Sequence, residues 1–197
     1  MSRVLLVGYG TLLDQGSLGD TIGADRAGTK VARPVTVRDY RRLFNLRPDH
    51  YQASCELGKA GIEAGAMNVE PAEGHHFNAL AFEVDAGELE RLDHRERYYQ
   101  RRVEPLYDFA TGESIGEGSL YTAPRTAQWI ERDPDRLLPR WLDVELGRRG
   151  AYRVGRAFGE DFDRTTFLAD GITPLAAAYG DSWEERTRRL MAELAGR

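Results

Sequence analysis

Cysteine occurs once in the 197-residue chain, at Cys55. No intramolecular disulfide can form, which points to a reducing compartment. Histidine is nearly as scarce: His75 and His76 stand together in what reads as a loop, with His50 and His94 far away. None has the i, i+4 spacing or the Cys-x-x-Cys pairing of a zinc site, so neither a bound metal nor a structural one is expected. Only Lys30 and Lys59 among the 27 basic residues are lysines, a bias that reads as genome composition rather than a phosphate-binding device. The net charge of -5 argues against a nucleic-acid surface, which needs a clustered basic field. No apolar run approaches the roughly 20 residues of a bilayer-spanning helix. The opening Met1-Ser2-Arg3-Val4-Leu5-Leu6-Val7 is too short for a signal-peptide core and reads as a strand. A cytoplasmic location is expected.

What remains is an ordinary globular composition, 41% hydrophobic and 30% charged. It is too apolar for a disordered chain and long enough for one domain, or one domain with an appendage. About two-thirds of the unfolded surface can be buried at this length, so folding needs no metal or disulfide.

Residues 3–9 read as a buried strand that ends in a glycine-rich bend, followed by a polar stretch over 13–29. Residues 31–46 alternate well enough for a long strand, bulged near Asp39-Tyr40. Further strands are expected at 54–57, 63–69 and 77–84. Asp85-Ala86-Gly87-Glu88 has capping-box spacing and starts a helix. Leu89, Leu92 and Glu96 follow on one face, while Arg91, Arg95 and Arg97 point elsewhere. The helix should end near residues 96–98, with strands at 99–106 and 118–121 beyond it. After residue 124 the pattern turns helical. Leu137, Leu138, Trp141, Leu142 and Leu146 form one apolar stripe. Trp183, Thr187, Leu190, Met191 and Leu194 form another, behind a second capping box at residues 182–185.

Two places carry candidate chemistry. In Gly8-Tyr9-Gly10-Thr11-Leu12-Leu13, Leu13 stands where a dinucleotide fingerprint needs its third glycine, and no clear helix follows. Locally a tight turn is the better reading, although backbone N–H groups at such a bend can hold an anion. Glu96 shares its face with Leu89 and Leu92, so it points to the core. Burial and the negative helix end would raise its pKa and suit it to proton transfer. An ion pair with Arg95, Arg97 or Arg101 would lower it instead. On local grounds these two outcomes are evenly balanced.

Taken together and in order, Tyr9-Gly10-Thr11-Leu12, then Leu92-Asp93 with Glu96, then Tyr99-Gln100-Arg101 resemble the gamma-glutamylcyclotransferase-like superfamily. That group includes gamma-glutamylamine cyclotransferases, ChaC-type glutathione-degrading enzymes and AIG2-like proteins. Residues 40–44 and Tyr121 are weaker echoes. The resemblance spans roughly residues 3–123. It implies an α+β fold: a small mixed β-barrel of the gamma-glutamylcyclotransferase-like type over 1–123, with flanking helices and a C-terminal helical extension, 124–197, packed on the same domain. It also implies Glu96 as general acid/base, Tyr9, Gly10, Thr11 and Leu12 holding a gamma-glutamyl substrate, and Tyr121 lining the pocket. The reaction would be cofactor-free release of 5-oxoproline and an amine. The partner would be a small gamma-glutamyl molecule, with neither nucleic acid nor membrane involved. Glutathione, gamma-glutamyl amino acids, gamma-glutamyl-epsilon-lysine and a gamma-glutamyl-protected metabolite all stay open as substrates. The extension would cover the barrel end, shape the leaving-group side, or form a homodimer interface. Two rival functions stay open beside this one: a non-catalytic gamma-glutamyl or small-carboxylate binding protein, and an interaction protein that uses the helical tail.

Overall fold

The computed structural model describes residues 4–48, 63–124 and 128–196. Val4–Gly8 (β1) runs antiparallel to Glu63–Val84 (β3) and parallel to Ser114–Thr122 (β5). Gln100–Asp108 (β4) pairs antiparallel with β5 and, at its far end, with Arg33–Leu46 (β2). β2 then returns to β3, closing a mixed barrel of five strands. Closure removes the free edges that an open sheet would present.

Side chains alternate across β1, as strand geometry requires. Val7 joins the barrel interior with Val35, Val37, Phe44, Val69, Phe77 and Leu120. Leu6 faces outward, onto a second cluster with Leu12, Leu18, Ile22, Phe82 and Leu92. That outer cluster is covered by Gln15–Ile22 (α1), Ala24–Gly28 (α2) and Ala86–Arg95 (α3). Residues 13–29, expected as a polar stretch, contain helices. α1 forms there because Asp14 accepts hydrogen bonds from the Gly16 and Ser17 N–H groups, and Leu18 and Ile22 share one buried face.

The bulge expected near Asp39-Tyr40 is present. The β2–β3 register shifts between Arg38 and Tyr40, and Asp39 takes a positive φ of 59°. Opposite it, His76 pairs with Arg38 and Pro71 with Tyr40, so residues 72–75 leave the ladder. The two strands expected at 63–69 and 77–84 are therefore one strand with this excursion, and His75 and His76 lie within it rather than in a separate loop. The strand expected at 54–57 lies outside the described residues. The capping box at Asp85 is complete: the Asp85 carboxylate accepts from the Glu88 N–H, and Glu88 accepts from the Asp85 N–H.

Beyond residue 124 the chain is not purely helical. Leu137–Pro139 (β6) lies parallel to β3 at residues 63–65, and Thr166–Phe167 (β7) lies parallel to β2 at Arg42 and Leu43. The first apolar stripe is corrected accordingly. Leu138 precedes a proline, which disfavours the helical backbone, and the helix Trp141–Val154 (α4) starts only afterwards. Leu142 is 47% exposed, whereas Val144 and Ala151 are buried. Arg156–Arg164 (α5) and Ser182–Ala195 (α6) complete the chain. α6 starts without the expected second capping box: its N-cap is Asp181, with no side-chain cap, and the Ser182 hydroxyl donates instead to the Tyr179 carbonyl. Its inner face does pack as expected, with Leu190 buried, Trp183 against the core and Thr187 accepting from Arg148.

α4 sits directly on the bend after β1. A Cβ at Gly150 would collide with the Leu13 carbonyl, and one at Gly147 would press on the Phe162 ring. Mid-helix glycine normally costs about 1 kcal/mol relative to alanine. At Gly150 the sign should reverse, because the obstructing atoms are backbone and cannot turn aside. Gly150→Ala is expected to lower the melting temperature by roughly 5 °C, from about 1–3 kcal/mol of overpacking. Gly87→Ala in α3, where a Cβ would make only ordinary contacts with the Asp85 and Arg91 side chains, should leave it unchanged or raise it. Thermal denaturation of both variants checks this.

Candidate active site

β1 delivers its last residues to a short 3-10 turn, Thr11–Leu13. The turn's bonds run from the Leu13 N–H to the Gly10 carbonyl (3.0 Å) and from the Asp14 N–H to the Thr11 carbonyl (3.1 Å). The N–H groups of Gly10, Thr11 and Leu12 precede those bonds and have no acceptor within the turn. The local expectation of a tight turn holds, but a helix does follow, capped by Asp14.

Tyr9 anchors the turn at its other end. Its ring packs edge-on against Phe77 with centroids 5.7 Å apart, and its hydroxyl donates to the Tyr121 carbonyl at 2.7 Å. Tyr121 in turn donates its hydroxyl to Asp93 Oδ1 (2.7 Å), and Arg101 holds the other Asp93 oxygen at 3.1 Å. Burial raises both tyrosine pKa values well above the ordinary range, helped at Tyr121 by the Asp93 carboxylate. Both phenols therefore stay protonated at neutral pH.

Beneath the turn lies a residue that no sequence motif marks. Arg42, on β2, is fully buried. Its guanidinium donates to the carbonyls of Tyr9 (3.2 Å), Asn78 (2.8 Å) and Phe162 (3.1 Å), to the Asn78 side-chain oxygen, and to the Thr165 and Thr166 hydroxyls. It also lies over the Phe162 ring, 3.9 Å from the centroid. Burial pulls its pKa down to about 9 against the opposing pull of Asp161 and Asp163, which leaves it charged at neutral pH. In sequence Arg42 is one arginine in an alternating strand. Only the partners from three separate segments, at Tyr9, at Asn78 and over 162–166, distinguish it.

Glu96 caps the C-terminus of α3. Its N–H donates to the Leu92 carbonyl, and its own carbonyl accepts from Tyr99 (both 2.9 Å). The side chain is 16% exposed, and Arg95 Nε lies 3.1 Å from its carboxylate. The expected alternatives, burial and an ion pair, are thus both realised. Burial is the larger influence: the Glu96 pKa is raised, with Arg95 pulling it down and Asp143 pushing it up.

Arg95 departs from expectation, since it turns toward the site. Its guanidinium also donates to the Thr11 hydroxyl (2.8 Å), to the Ser17 carbonyl and hydroxyl, and to the Thr21 hydroxyl. One guanidinium therefore joins the turn to Glu96. Nothing in the helical phase marks this. At a helix C-terminus the backbone ceases to dictate side-chain direction, and α1, which supplies the acceptors, is itself unexpected.

Tyr9, Gly10, Thr11, Leu12, Glu96 and Tyr121 all line one cavity of about 170 Å³. All six residues expected to act together are brought together. Arg95, Met67, Tyr98, Tyr99 and Asp143 of α4 line it as well. Asp143 is 4% exposed and could not be foreseen, because an acid in a helix's first turn ordinarily serves the helix dipole. Tyr99 is fixed by donating its hydroxyl to the Met67 carbonyl at 2.6 Å. Among the described residues, no group of three His, Cys, Asp or Glu side chains is placed to hold a metal ion. No described helix is long and apolar enough to cross a membrane.

No family model and no curated protein matches the sequence. Solved structures do match. An uncharacterized protein from Homo sapiens, loc79017, superposes with a TM-score of 0.62 at 14% identity, covering 82% of this chain and 87% of that one. A gamma-glutamyl cyclotransferase gives 0.60 at 14% identity over 82% and 86% of the two chains. YkqA from Bacillus subtilis gives 0.60 at 14% identity, over 88% of this chain and 56% of that one. The closed barrel with its helices is the gamma-glutamylcyclotransferase-like fold that the sequence motifs imply. The superpositions cover more of the chain than residues 1–123 alone could supply.

Proposed function

We propose that the chain is a gamma-glutamylcyclotransferase, releasing 5-oxoproline and a free amine or amino acid from a gamma-glutamyl amide. The observation that carries this is the meeting, in one small cavity, of the turn residues Gly10, Thr11 and Leu12 with a glutamate whose pKa burial raises. The fold it shares with a gamma-glutamyl cyclotransferase supports the same reaction class.

The substrate supplies its own nucleophile. Its α-nitrogen attacks the γ-carbonyl carbon and closes a five-membered ring. Glu96 takes a proton from that nitrogen and returns one to the departing amine as the old amide bond breaks. The N–H groups of Gly10, Thr11 and Leu12 receive the charge that develops on the carbonyl oxygen. Protonated Tyr9 and Tyr121 fix the wall against which the chain folds. Orientation does much of the work, since well-placed intramolecular reactions gain about 7–11 kcal/mol.

The pH dependence follows from the neighbours of Glu96. The base must be ionised, so kcat/KM should rise with pH through the Glu96 pKa, above the ordinary glutamate range. Arg95→Met removes the neighbour that lowers this pKa, so the acid limb should move to higher pH. A pH–rate profile of both proteins measures the shift.

The direct test is incubation with glutathione, gamma-glutamyl amino acids and gamma-glutamyl-epsilon-lysine, with chromatographic detection of 5-oxoproline. Product from at least one is expected; none from any of them would overturn the proposal. The Arg95–Glu96 ion pair favours one rival, a gamma-glutamyl or small-carboxylate binding protein. Saturable ligand binding without product would select that rival.

A further inference from the structure

We infer that Ser17 and Thr21, on α1, are positioning residues of the proposed reaction: they clasp the Arg95 guanidinium so that it joins the Thr11–Leu13 turn to the Glu96 carboxylate. The inference rests on the proposed gamma-glutamyl chemistry and deepens it.

α1 carries two pairs of residues at i, i+4 spacing, and each pair shares a face. Leu18 and Ile22 are buried in the outer apolar cluster. Ser17 and Thr21, one position earlier, turn to Arg95 at the end of α3. Nη1 of Arg95 donates to the Ser17 carbonyl (2.8 Å) and the Thr21 hydroxyl (2.7 Å). Nη2 donates to the Thr11 hydroxyl (2.8 Å) and the Ser17 hydroxyl (3.1 Å). Every N–H of the two Nη nitrogens thus has an acceptor, and Nε lies 3.1 Å from Glu96 Oε1. A planar fork held from α1, from the turn and beside Glu96 has one orientation left to it.

That orientation matters to the chemistry. The turn N–H groups act on the γ-carbonyl oxygen and Glu96 acts on the α-nitrogen, so their separation must hold while the ring closes. Arg95 spans both, and α1 is what keeps it there.

The direction of the effect follows from what surrounds the two groups. Arg95 also lines a groove between α1 and α3 with Asp20, Thr21, Glu90, Arg91 and His94. Without the Thr21 hydroxyl one N–H is left facing a methyl group, and an unmade bond of that kind is costly. The guanidinium then turns into the groove, where water, Asp20 and Glu90 replace the lost acceptor, and its pull on Glu96 weakens. The other neighbours of Glu96 stay in place: Asp143 from α4, Tyr9 from the end of β1, Tyr121 from β5, and Tyr98 and Tyr99. The Glu96 pKa should therefore rise by about half a unit, the scale of one partly exposed ion pair.

The test is Thr21→Val, which keeps the shape and removes the acceptor. The Glu96 carboxyl carbon is titrated by NMR, which needs no turnover, and a pH–rate profile is recorded beside it. The pKa and the acid limb of kcat/KM should both move about half a unit to higher pH, while kcat falls about tenfold and KM holds. Thr21→Ser restores the acceptor and should return both to wild-type values. In an Arg95→Met background Thr21→Val should move neither, because the residue acts only through Arg95. An unmoved or lowered Glu96 pKa in Thr21→Val, or the same shift without Arg95, would overturn the inference while leaving 5-oxoproline formation intact. No 5-oxoproline from the wild type would overturn the proposed function and, with it, the catalytic part of this inference. Should Thr21→Val not fold, Ser17→Ala removes the hydroxyl that holds Nη2 and is measured with the same expectations.

Discussion

Glu96→Gln is expected to lower kcat for 5-oxoproline formation by about 10²–10⁴-fold, the usual contribution of a positioned general acid/base. KM should change little. The amide keeps the shape of the side chain and its contact with Arg95 but cannot carry a proton from the attacking nitrogen to the leaving one. Stability should move the other way. The folded protein holds the Glu96 pKa above its unfolded value, so the folded state binds the extra proton more readily. As pH rises from the ordinary glutamate range through the folded pKa, that advantage is lost, and at neutral pH the buried charge is a cost. Glu96→Gln removes the cost, so its melting temperature should equal or exceed that of the wild type. Loss of activity together with a lowered melting temperature would point to a structural role for Glu96.

Arg42→Met should produce the largest loss of stability. Methionine fills much of the same volume but takes the guanidinium's bonds from the buried carbonyls of Tyr9 and Asn78 and from the Asn78 side-chain oxygen, while the Phe162 carbonyl keeps the Thr166 hydroxyl. Removing one partner from a buried charged network typically costs about 3–5 kcal/mol. In a domain of this length that is a fall of roughly 10 °C in melting temperature. Arg42→Lys should recover only part of it, because one ammonium cannot reach acceptors arranged around a planar fork. The loss should also reach the site, since Arg42 grips the peptide that leads into the turn at residues 11–13. Circular dichroism melts of the two variants decide the matter, and equal melting temperatures for Arg42→Met and wild type would contradict it.

Features legible in the sequence are those governed by neighbours along the chain. The capping box at Asp85, the bulge at Asp39, and the common face of Leu89, Leu92 and Glu96 depend on spacings of a few residues. So does the strand that ends at the turn. The features that escaped depend on distant partners. Leu137 and Leu138 look helical by spacing but pair with Glu63 and Ala64, and the proline after them settles the backbone. α1 escapes because its few apolar residues, Leu18 and Ile22, are spread among glycines and polar groups. Ser182 has the composition of a cap but stands inside the helix. At the site, five of the six expected residues sit on the short motifs that carry the family resemblance, and Tyr121 is a weaker echo of it. Arg42 and Asp143 meet the site through residues far from them in sequence, so nothing near them marks the place; the Arg95–Glu96 pair is among the sequence expectations, but the bonds from Arg95 to Thr11, Ser17 and Thr21 are not.

The central claim is that the substrate's own amine, not water, cleaves the gamma-glutamyl bond. Running the reaction in ¹⁸O-labelled water and weighing the product tests this directly. The expected result is 5-oxoproline free of ¹⁸O, formed in equal amount with the released amine. Glutamate carrying one ¹⁸O atom would mean hydrolysis by water and would contradict the account.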